Sequence, residues 1–212
     1  MKKVVIFDFD GTLANSFPWF IKRINHIARV LRFNPVRPDD VDDLRKMKVE
    51  EILKYLGISK FKLPFVILYM KWLMGKESKD INLFPEVPSL FEVLKNNNID
   101  IVILSSNSEK NVRLILNKAS KDVSVFYCGA SLQAKENHFL KVKRGYPQAH
   151  LLSVGDELRD SIAAKKVGVD HLNVTWGYAS AEVFSKESVI EDFSSLERRI
   201  LSYFNEKSRS FV

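Results

Sequence analysis

The chain has 212 residues, which is enough for one large domain or for a core domain with an insertion. Hydrophobic residues make up 46% and charged residues 28%, as in ordinary globular proteins, so a disordered, collagen-like or disulfide-rich chain is excluded. The net charge of +7 favours anionic partners. The basic residues are scattered and are not interleaved with aromatic residues, so we expect no nucleic-acid partner.

Neither a secretion signal nor a membrane span is expected. The first apolar run is interrupted at Asp8 and Asp10, which is too early for a signal peptide. No stretch of about 18 uninterrupted apolar residues occurs. The single cysteine, Cys128, excludes an intrachain disulfide. We therefore expect a cytoplasmic protein without a membrane partner, either a monomer or a homodimer.

Short apolar runs alternate with helical patterns in most of the chain. The predicted strands are Val4–Phe7, Ile101–Leu104, Val123–Tyr127, Leu151–Val154 and Leu172–Val174. Nearly continuous apolar strands that alternate with helices are typical of a parallel sheet covered on both faces. We predict a doubly wound, Rossmann-like α/β core formed by residues 1–15 and 84–212. Such sheets bind ligands at the carboxyl ends of their strands.

Residues 16–83 carry no strand pattern and predict a small α-helical cap inserted after the first strand. Apolar residues recur at helical spacing before and after the turn that Pro35 and Pro38 indicate. The stretch 63–74 is the most apolar part of the chain. Burial within the cap is the favoured interpretation, and a dimer surface or a membrane-surface helix are the alternatives.

Two aspartates leave the predicted first strand together. Asp8 and Asp10 are separated by one residue and are followed by Gly11, which permits a sharp turn, and by Thr12. One carboxylate can attack phosphorus and form an aspartyl-phosphate. The other can protonate the leaving oxygen and then deprotonate a water molecule. An acidic turn that caps the next helix is the alternative interpretation.

Hydroxyl groups follow the second long strand. Ser105 and Ser106, with their backbone N–H groups, could hold phosphoryl oxygens. Asn107 or Ser108 could instead cap the following helix. Further along the chain, Lys135 is a candidate to neutralise an aspartate and a phosphoryl oxygen, with a solvated surface lysine as the alternative.

An acidic segment follows the fourth predicted strand. Asp156 and Asp160 are four residues apart at the start of a predicted helix, so their carboxylates can share one face. Carboxylates in this arrangement can hold a hard cation such as Mg²⁺. Favourable acidic charge at a helix N-terminus is the alternative.

These four motifs occur in order at the ends of strands of one predicted sheet, and together they resemble the haloacid dehalogenase-like hydrolases. That family carries an Asp-x-Asp-Gly-Thr loop, a Ser or Thr after the second strand, a Lys, and an acidic Gly-Asp-x-x-x-Asp. The likeness covers residues 4–14 and roughly 84–178. The helical insertion and the segment 175–178 resemble the subgroup that includes phosphoglycolate phosphatases.

The resemblance implies roles for individual residues. Asp8 is implied as the nucleophile and Asp10 as the general acid and base, with Ser105 and Lys135 completing the catalytic set. The implied phosphate ligands are Gly11, Thr12, Ser105, Ser106 and Lys135. The implied Mg²⁺ ligands are the Asp8 side chain, the Asp10 backbone carbonyl and Asp156, with Asp160 behind them or reaching the metal through water.

We therefore expect a Mg²⁺-dependent phosphatase that hydrolyses a small-molecule phosphate monoester, phosphoglycolate-like, through an aspartyl-phosphate. Asp10 favours phosphate chemistry over dehalogenation, because a halide leaves without a proton. A phosphomutase acting on a sugar phosphate and a catalytically silent binding protein of the same fold remain alternatives. Arg45, in a basic cluster of the cap, is a candidate specificity residue, and a solvated basic face is the alternative there.

Overall fold

A fully parallel sheet forms the centre of the protein. The computed structural model describes residues 1–129, 135–184 and 188–209, and in these the sheet has the strand order β3-β2-β1-β4-β5-β6. The strands are β1 Lys3–Phe7, β2 Ile99–Ser105, β3 Val125–Cys128, β4 His150–Gly155, β5 Asp170–Val174 and β6 Val189–Ile190. The winding reverses between β1 and β4, which is where such sheets bind ligands. The predicted doubly wound α/β fold is confirmed.

Helices cover the sheet and fill the segment between β1 and β2. The α-helices are α1 Phe17–Leu31, α2 Val41–Leu44, α3 Val49–Tyr55, α4 Leu63–Lys76, α5 Val87–Asn96, α6 Glu109–Leu116, α7 Lys135–Gly145, α8 Leu158–Lys166 and α9 Phe193–Arg209. Short 3-10 turns are found at Pro38–Asp40, Ser78–Asp80, Asn117–Asp122 and Ala181–Val183.

The five predicted strands all occur in the structure, and their ends differ from the prediction by at most two residues. β6 was not predicted, because a two-residue strand carries no periodicity. The spacing of Ile162, Ala163 and Val167 predicts one buried face of α8, but Ile162 is 49% exposed, whereas Ala163 and Val167 are buried.

The insertion between β1 and β2 is helical, as the sequence predicts. Ala14 and Leu83 form an isolated antiparallel bridge, so the chain leaves and re-enters the sheet region at adjacent points. One continuous cluster of buried apolar side chains joins Phe7 of β1 to Ile27 of α1 and Met70 of α4. The boundaries of the cap at 16 and 83 stay a prediction.

Helix α4 has one buried and one exposed face, although both are apolar. Val66, Met70 and Leu73 are buried, whereas Phe65 and Leu68 are 65% and 68% exposed. The favoured interpretation of stretch 63–74 as buried therefore describes one face only. Within the described ranges, no helix is both long and apolar enough to cross a bilayer.

A substitution at Phe91 tests the packing of α5 against the sheet. Its ring is fully buried and its centroid lies 6.0 Å from that of Phe7. We expect Phe91→Ala to lower the free energy of unfolding by about 3–5 kcal/mol, because the truncation leaves a cavity in the core. Urea unfolding followed by circular dichroism measures this change.

Phe65→Ala is the matched control, because it is the same truncation at an exposed position of α4. It should change the free energy of unfolding by no more than about 0.5 kcal/mol. Equal losses from the two variants would contradict the packing described for α5.

Candidate active site

Asp8 and Asp156 emerge side by side from the middle of the sheet. β1 and β4 are paired so that Phe7 lies opposite Val154, and the Asp8 N–H donates to the Val154 carbonyl at 2.9 Å. Both carboxylates follow apolar strands that are buried on both faces, so they are removed from solvent: Asp8 is 7% exposed and Asp156 is fully buried. The register of two strands thus places the predicted first and fourth motifs together.

Three carboxylates and one ammonium group form the centre of the site. Asp8, Asp156 and Asp160 each offer an oxygen, and these atoms lie within 4.8 Å of one another. The Lys135 ammonium lies 2.9 Å from Asp8 Oδ1 and forms a short ion pair with Asp160. Lys135 begins α7 and is buried, and the five residues before it lie outside the described residues.

Two loops hold the Asp156 carboxylate from both sides. Thr12 Oγ1 donates to Asp156 Oδ1 at 2.7 Å, and the Tyr178 N–H donates to Oδ2 at 2.7 Å. A Cβ on Gly11 or on Gly177 would lie 2.2 Å from Asp156 Oδ2, so neither position has room for a side chain. Gly11 also has φ +82°, a left-handed conformation that glycine adopts without strain.

The Asp10 side chain belongs to a different part of the site from the three clustered carboxylates. Its Oδ2 accepts a hydrogen bond from Asn107 Nδ2 at 3.2 Å. Its Oδ1 is buried and has no hydrogen-bond partner among the described residues. A buried carboxylate oxygen without a donor costs free energy, so this oxygen marks a position where a ligand or a proton would be stabilising.

A chain of amides connects Asp10 with helix α4 of the insertion. Asn107 Oδ1 accepts from Asn111 Nδ2 at 3.1 Å, and Asn111 Nδ2 also donates to the Lys71 carbonyl at 2.9 Å. The Asn107 amide also contacts the sulfur of Met74 on the buried face of α4. The position of α4 is therefore linked to the group that holds Asp10.

The end of β2 is organised by its own polar side chains. Ser105 is buried, and its Oγ accepts from the Asn107 N–H at 3.0 Å. Ser108 caps α6 by accepting from the Asn111 N–H at 3.2 Å. Ser106 is partly exposed between them. The structure thus places the Ser105 motif next to the partner of Asp10.

Arg45 lies against the loop after β5. Its guanidinium donates to the carbonyls of Thr175 at 3.3 Å, Gly177 at 2.9 Å and Tyr178 at 3.3 Å. It also lies 5.4 Å from the centre of the Phe17 ring. In this structure Arg45 joins the insertion to the loop that holds Asp156, and its role in specificity stays a prediction.

Burial dominates the electrostatics of the site. Burial raises the pKa of Asp8 to about 7, although Lys135 opposes that rise. Burial and the neighbouring Asp8 raise the pKa of Asp156, and burial also raises the pKa of Asp10. Burial lowers the pKa of Lys135, but Asp160 and Asp8 outweigh it and raise that pKa above its usual value. The single buried ammonium cannot compensate all the clustered carboxylates.

The contacts that Asn107, Asn111 and Gly177 make in the site were not predicted from the sequence. Asn107 follows the serine pair directly, and that adjacency was its only signal. Asn111 is buried on α6, and nothing in its sequence position indicates a contact with the site. Gly177 is required by its closeness to Asp156, which no sequence pattern reveals.

Comparison with known proteins agrees with this geometry. The haloacid dehalogenase-like hydrolase family matches residues 5–174. The chain belongs to this family. It is 31% identical over 180 residues to a phosphoglycolate phosphatase from Synechococcus elongatus, covering 83% of this chain and 85% of the relative.

Two further proteins match this chain at lower sequence identity. The chain is 24% identical over 194 residues to the tyrosine-protein kinase PtkA of Mycobacterium tuberculosis, covering 88% of this chain and 66% of the kinase. The crystal structure of a "predicted phosphatase" from Clostridium acetobutylicum superposes with a TM-score of 0.79 at 17% identity, covering 95% of this chain and 99% of that chain. This last similarity shows the fold alone. Family membership, with the phosphatase relatives, confirms the predicted enzyme class, a phosphoric monoester hydrolase.

The raised pKa of Asp8 has a consequence for stability. Between its ordinary pKa of 3.8 and the raised value of about 7, the folded protein binds more protons at Asp8 than the unfolded chain does. The Asp8 contribution to the free energy of unfolding therefore falls as the pH rises through this window. We expect Asp8→Asn, in EDTA, to raise the melting temperature above pH 7, with a gain that shrinks toward pH 4.

Differential scanning calorimetry across this pH range measures the effect. Lys135 keeps Asp160 as its partner in the variant, so the substitution does not leave a buried ammonium unpaired. Asp42→Asn, on an exposed position of α2, is the control and should leave the melting temperature unchanged. A lower melting temperature for Asp8→Asn above pH 7 would contradict the prediction.

Proposed function

We propose that this chain hydrolyses a small-molecule phosphate monoester, with phosphoglycolate as the first candidate, through an aspartyl-phosphate on Asp8. The observation that carries the proposal is the difference between the surroundings of the Asp8 and Asp10 carboxylates. Asp8 is paired with the Lys135 ammonium at 2.9 Å, whereas Asp10 contacts a neutral amide and keeps one oxygen without a partner. Environments that differ in this way separate the roles of two acids in one site.

Asp8 is the proposed nucleophile. One of its oxygens attacks phosphorus, a P–O bond forms, and the bond from phosphorus to the ester oxygen breaks. Lys135 and the N–H groups after β1 and β2 face the negative charge of the transferring group. The product of this half-reaction is an aspartyl-phosphate and a free alcohol.

Asp10 is the proposed proton donor and acceptor. Its raised pKa keeps the carboxyl protonated to a higher pH than an exposed aspartate, which suits a general acid. It gives its proton to the leaving ester oxygen and then takes one from the water that attacks the aspartyl-phosphate. Inorganic phosphate leaves, Asp8 regains its carboxylate, and Asp10 is protonated again for the next turnover.

The donor set fits a hard divalent cation such as Mg²⁺. Three carboxylates lie within 4.8 Å, and Lys135 is the one ammonium buried with them in the described part of the chain, so a cation would relieve their repulsion. As the family resemblance implies, we propose Asp8, Asp156 and the backbone carbonyl of Asp10 as the ligands, with Asp160 behind them in its ion pair with Lys135. When bound, the cation would shield the phosphoryl oxygens from the charge of Asp8.

Access to Asp8 requires movement of the insertion. Asp8 and Asp156 are buried, and the amide chain through Asn107 and Asn111 joins the site to α4. We propose that the insertion opens to admit substrate and closes to exclude water.

Phosphate release from a panel of phosphorylated metabolites tests the proposal. With Mg²⁺, the wild type should release phosphate, and phosphoglycolate should rank among the best substrates. EDTA and Asp8→Asn should each lower the rate by at least about a thousandfold, since each removes a group that the transition state needs. Asp42→Asn, an exposed aspartate on α2, should keep the wild-type rate.

Other outcomes distinguish the alternatives. Normal release by a folded Asp8→Asn protein would contradict the nucleophile. Isomerisation of a sugar phosphate without net phosphate release would indicate a phosphomutase. Phosphate transfer from ATP to protein tyrosine would indicate an activity like the one named for the mycobacterial relative. No turnover in any assay, with unchanged ligand binding by Asp8→Asn, would indicate a silent binding protein.

A further inference from the structure

The outer face of helix α4 presents an apolar surface that nothing in the proposed reaction uses. Three large side chains of α4 are exposed along it, and a fourth lies in the turn just before the helix; we call the four the apolar stripe: Phe61 (89% exposed), Phe65 (65%), Leu68 (68%) and Trp72 (50%). The spacing of three and four residues between Phe65, Leu68 and Trp72 places these three on one line along the helix. The opposite face of α4 is buried against the core. A helix that is apolar all round is normally covered on both sides.

Positive charge borders the apolar stripe on both sides. At 100° per residue, Lys71 lies along one edge of the stripe and Lys76 along the other. Lys60 and Lys62 lie in the turn before the helix, where the Lys62 ammonium donates to the Arg32 carbonyl at 2.9 Å. The chain has no acidic residue from Gly57 to Lys76.

No carboxylate close to the stripe in the described structure is available to neutralise the lysine charges beside it. The first acid beyond the stripe, Glu77, is paired with Arg23 at 2.5 Å. The Lys76 ammonium lies 4.0 Å from the centre of the Trp72 ring, which leaves its charge beside the stripe. The surface around α4 therefore combines apolar area with net positive charge.

These charges argue against a second copy of this chain as the occupant. A two-fold axis sets the same patch against itself, so lysine would face lysine whether the two helices run parallel or antiparallel. The area is also small. The three aromatic side chains expose on the order of 400 Å² together, whereas a stable interface buries about 800 Å² on each partner.

In contrast to the expectation from the sequence that the protein has no membrane partner, we propose that α4 docks on the surface of an anionic lipid bilayer. A helix of 14 residues is about 21 Å long and can lie in the plane of the membrane with its apolar face among the acyl chains. Phenylalanine, leucine and tryptophan are the residues that such helices bury, and lysine stems extend to place their ammonium groups among anionic headgroups. The net charge of +7 adds long-range attraction.

The proposal does not depend on the proposed phosphatase function. The stripe points away from Asp8, and none of its residues takes part in the hydrogen bonds around the clustered carboxylates. Docking would therefore place the enzyme at a membrane while the reaction proceeds on a soluble substrate.

Vesicle flotation with the full-length chain tests the proposal. The wild type should float with phosphatidylcholine vesicles that contain phosphatidylserine, and at least about tenfold less with phosphatidylcholine alone. The variant Phe61→Ser/Phe65→Ser should bind anionic vesicles at least about tenfold more weakly, since it removes two of the buried rings. Lys60→Glu/Lys71→Glu should lose the preference for anionic lipid.

A matched control is available on other helices. Leu114→Ser/Ile162→Ser removes two apolar side chains that are 48% and 49% exposed on α6 and α8. It should bind anionic vesicles as the wild type does. All variants should keep the wild-type rate of phosphate release from p-nitrophenyl phosphate if the wild type shows one, and the wild-type circular dichroism spectrum in any case.

Tryptophan fluorescence locates the contact. Anionic vesicles should shift the emission of the wild type to shorter wavelength, and Trp72→Phe should remove most of that shift while still floating. Equal binding by the wild type and the Phe61→Ser/Phe65→Ser variant would overturn the proposal. A wild-type dimer in sedimentation velocity that dissociates in this variant, with no vesicle binding, would overturn it in favour of a second copy of the chain.

Discussion

Repulsion among buried carboxylates is the constraint on which the site depends. Parallel pairing of β1 with β4 delivers Asp8 and Asp156 to one point of the sheet, and α8 adds Asp160. One ammonium group, that of Lys135, lies among them. Such a cluster stays charged only if the surrounding backbone fixes it and a cation completes it. Thr12 and the Tyr178 N–H fix the Asp156 carboxylate. The proposed divalent cation would complete the cluster.

Most of the fold and of this cluster could be predicted from the sequence, for a physical reason. Central strands of a parallel sheet are apolar on both faces, so they stand out as short runs, and the residues that follow them converge at one edge. Asp8, Asp156 and Lys135 were found in this way. The contacts of Asn107, Arg45 and Gly177 were not found, because they join segments that are far apart in the chain. Strand β6 is too short to leave a pattern.

Two of the polar contacts between the insertion and the core differ in their chemistry. On one side, Arg45 donates to carbonyls of the loop that also holds Asp156. On the other, Asn111 joins the Lys71 carbonyl to the amide that holds Asp10. Both contacts are hydrogen bonds to backbone carbonyls, which suits the opening and closing of the insertion proposed above.

The tight enclosure of Asp156 also limits how this enzyme can change over generations. Gly11 and Gly177 lie far apart in the sequence, yet a methyl group at either would collide with the same carboxylate oxygen. A mutation at one glycine cannot be offset by a smaller residue at the other, because both already carry the smallest side chain. The same carboxylate therefore restricts both positions to glycine.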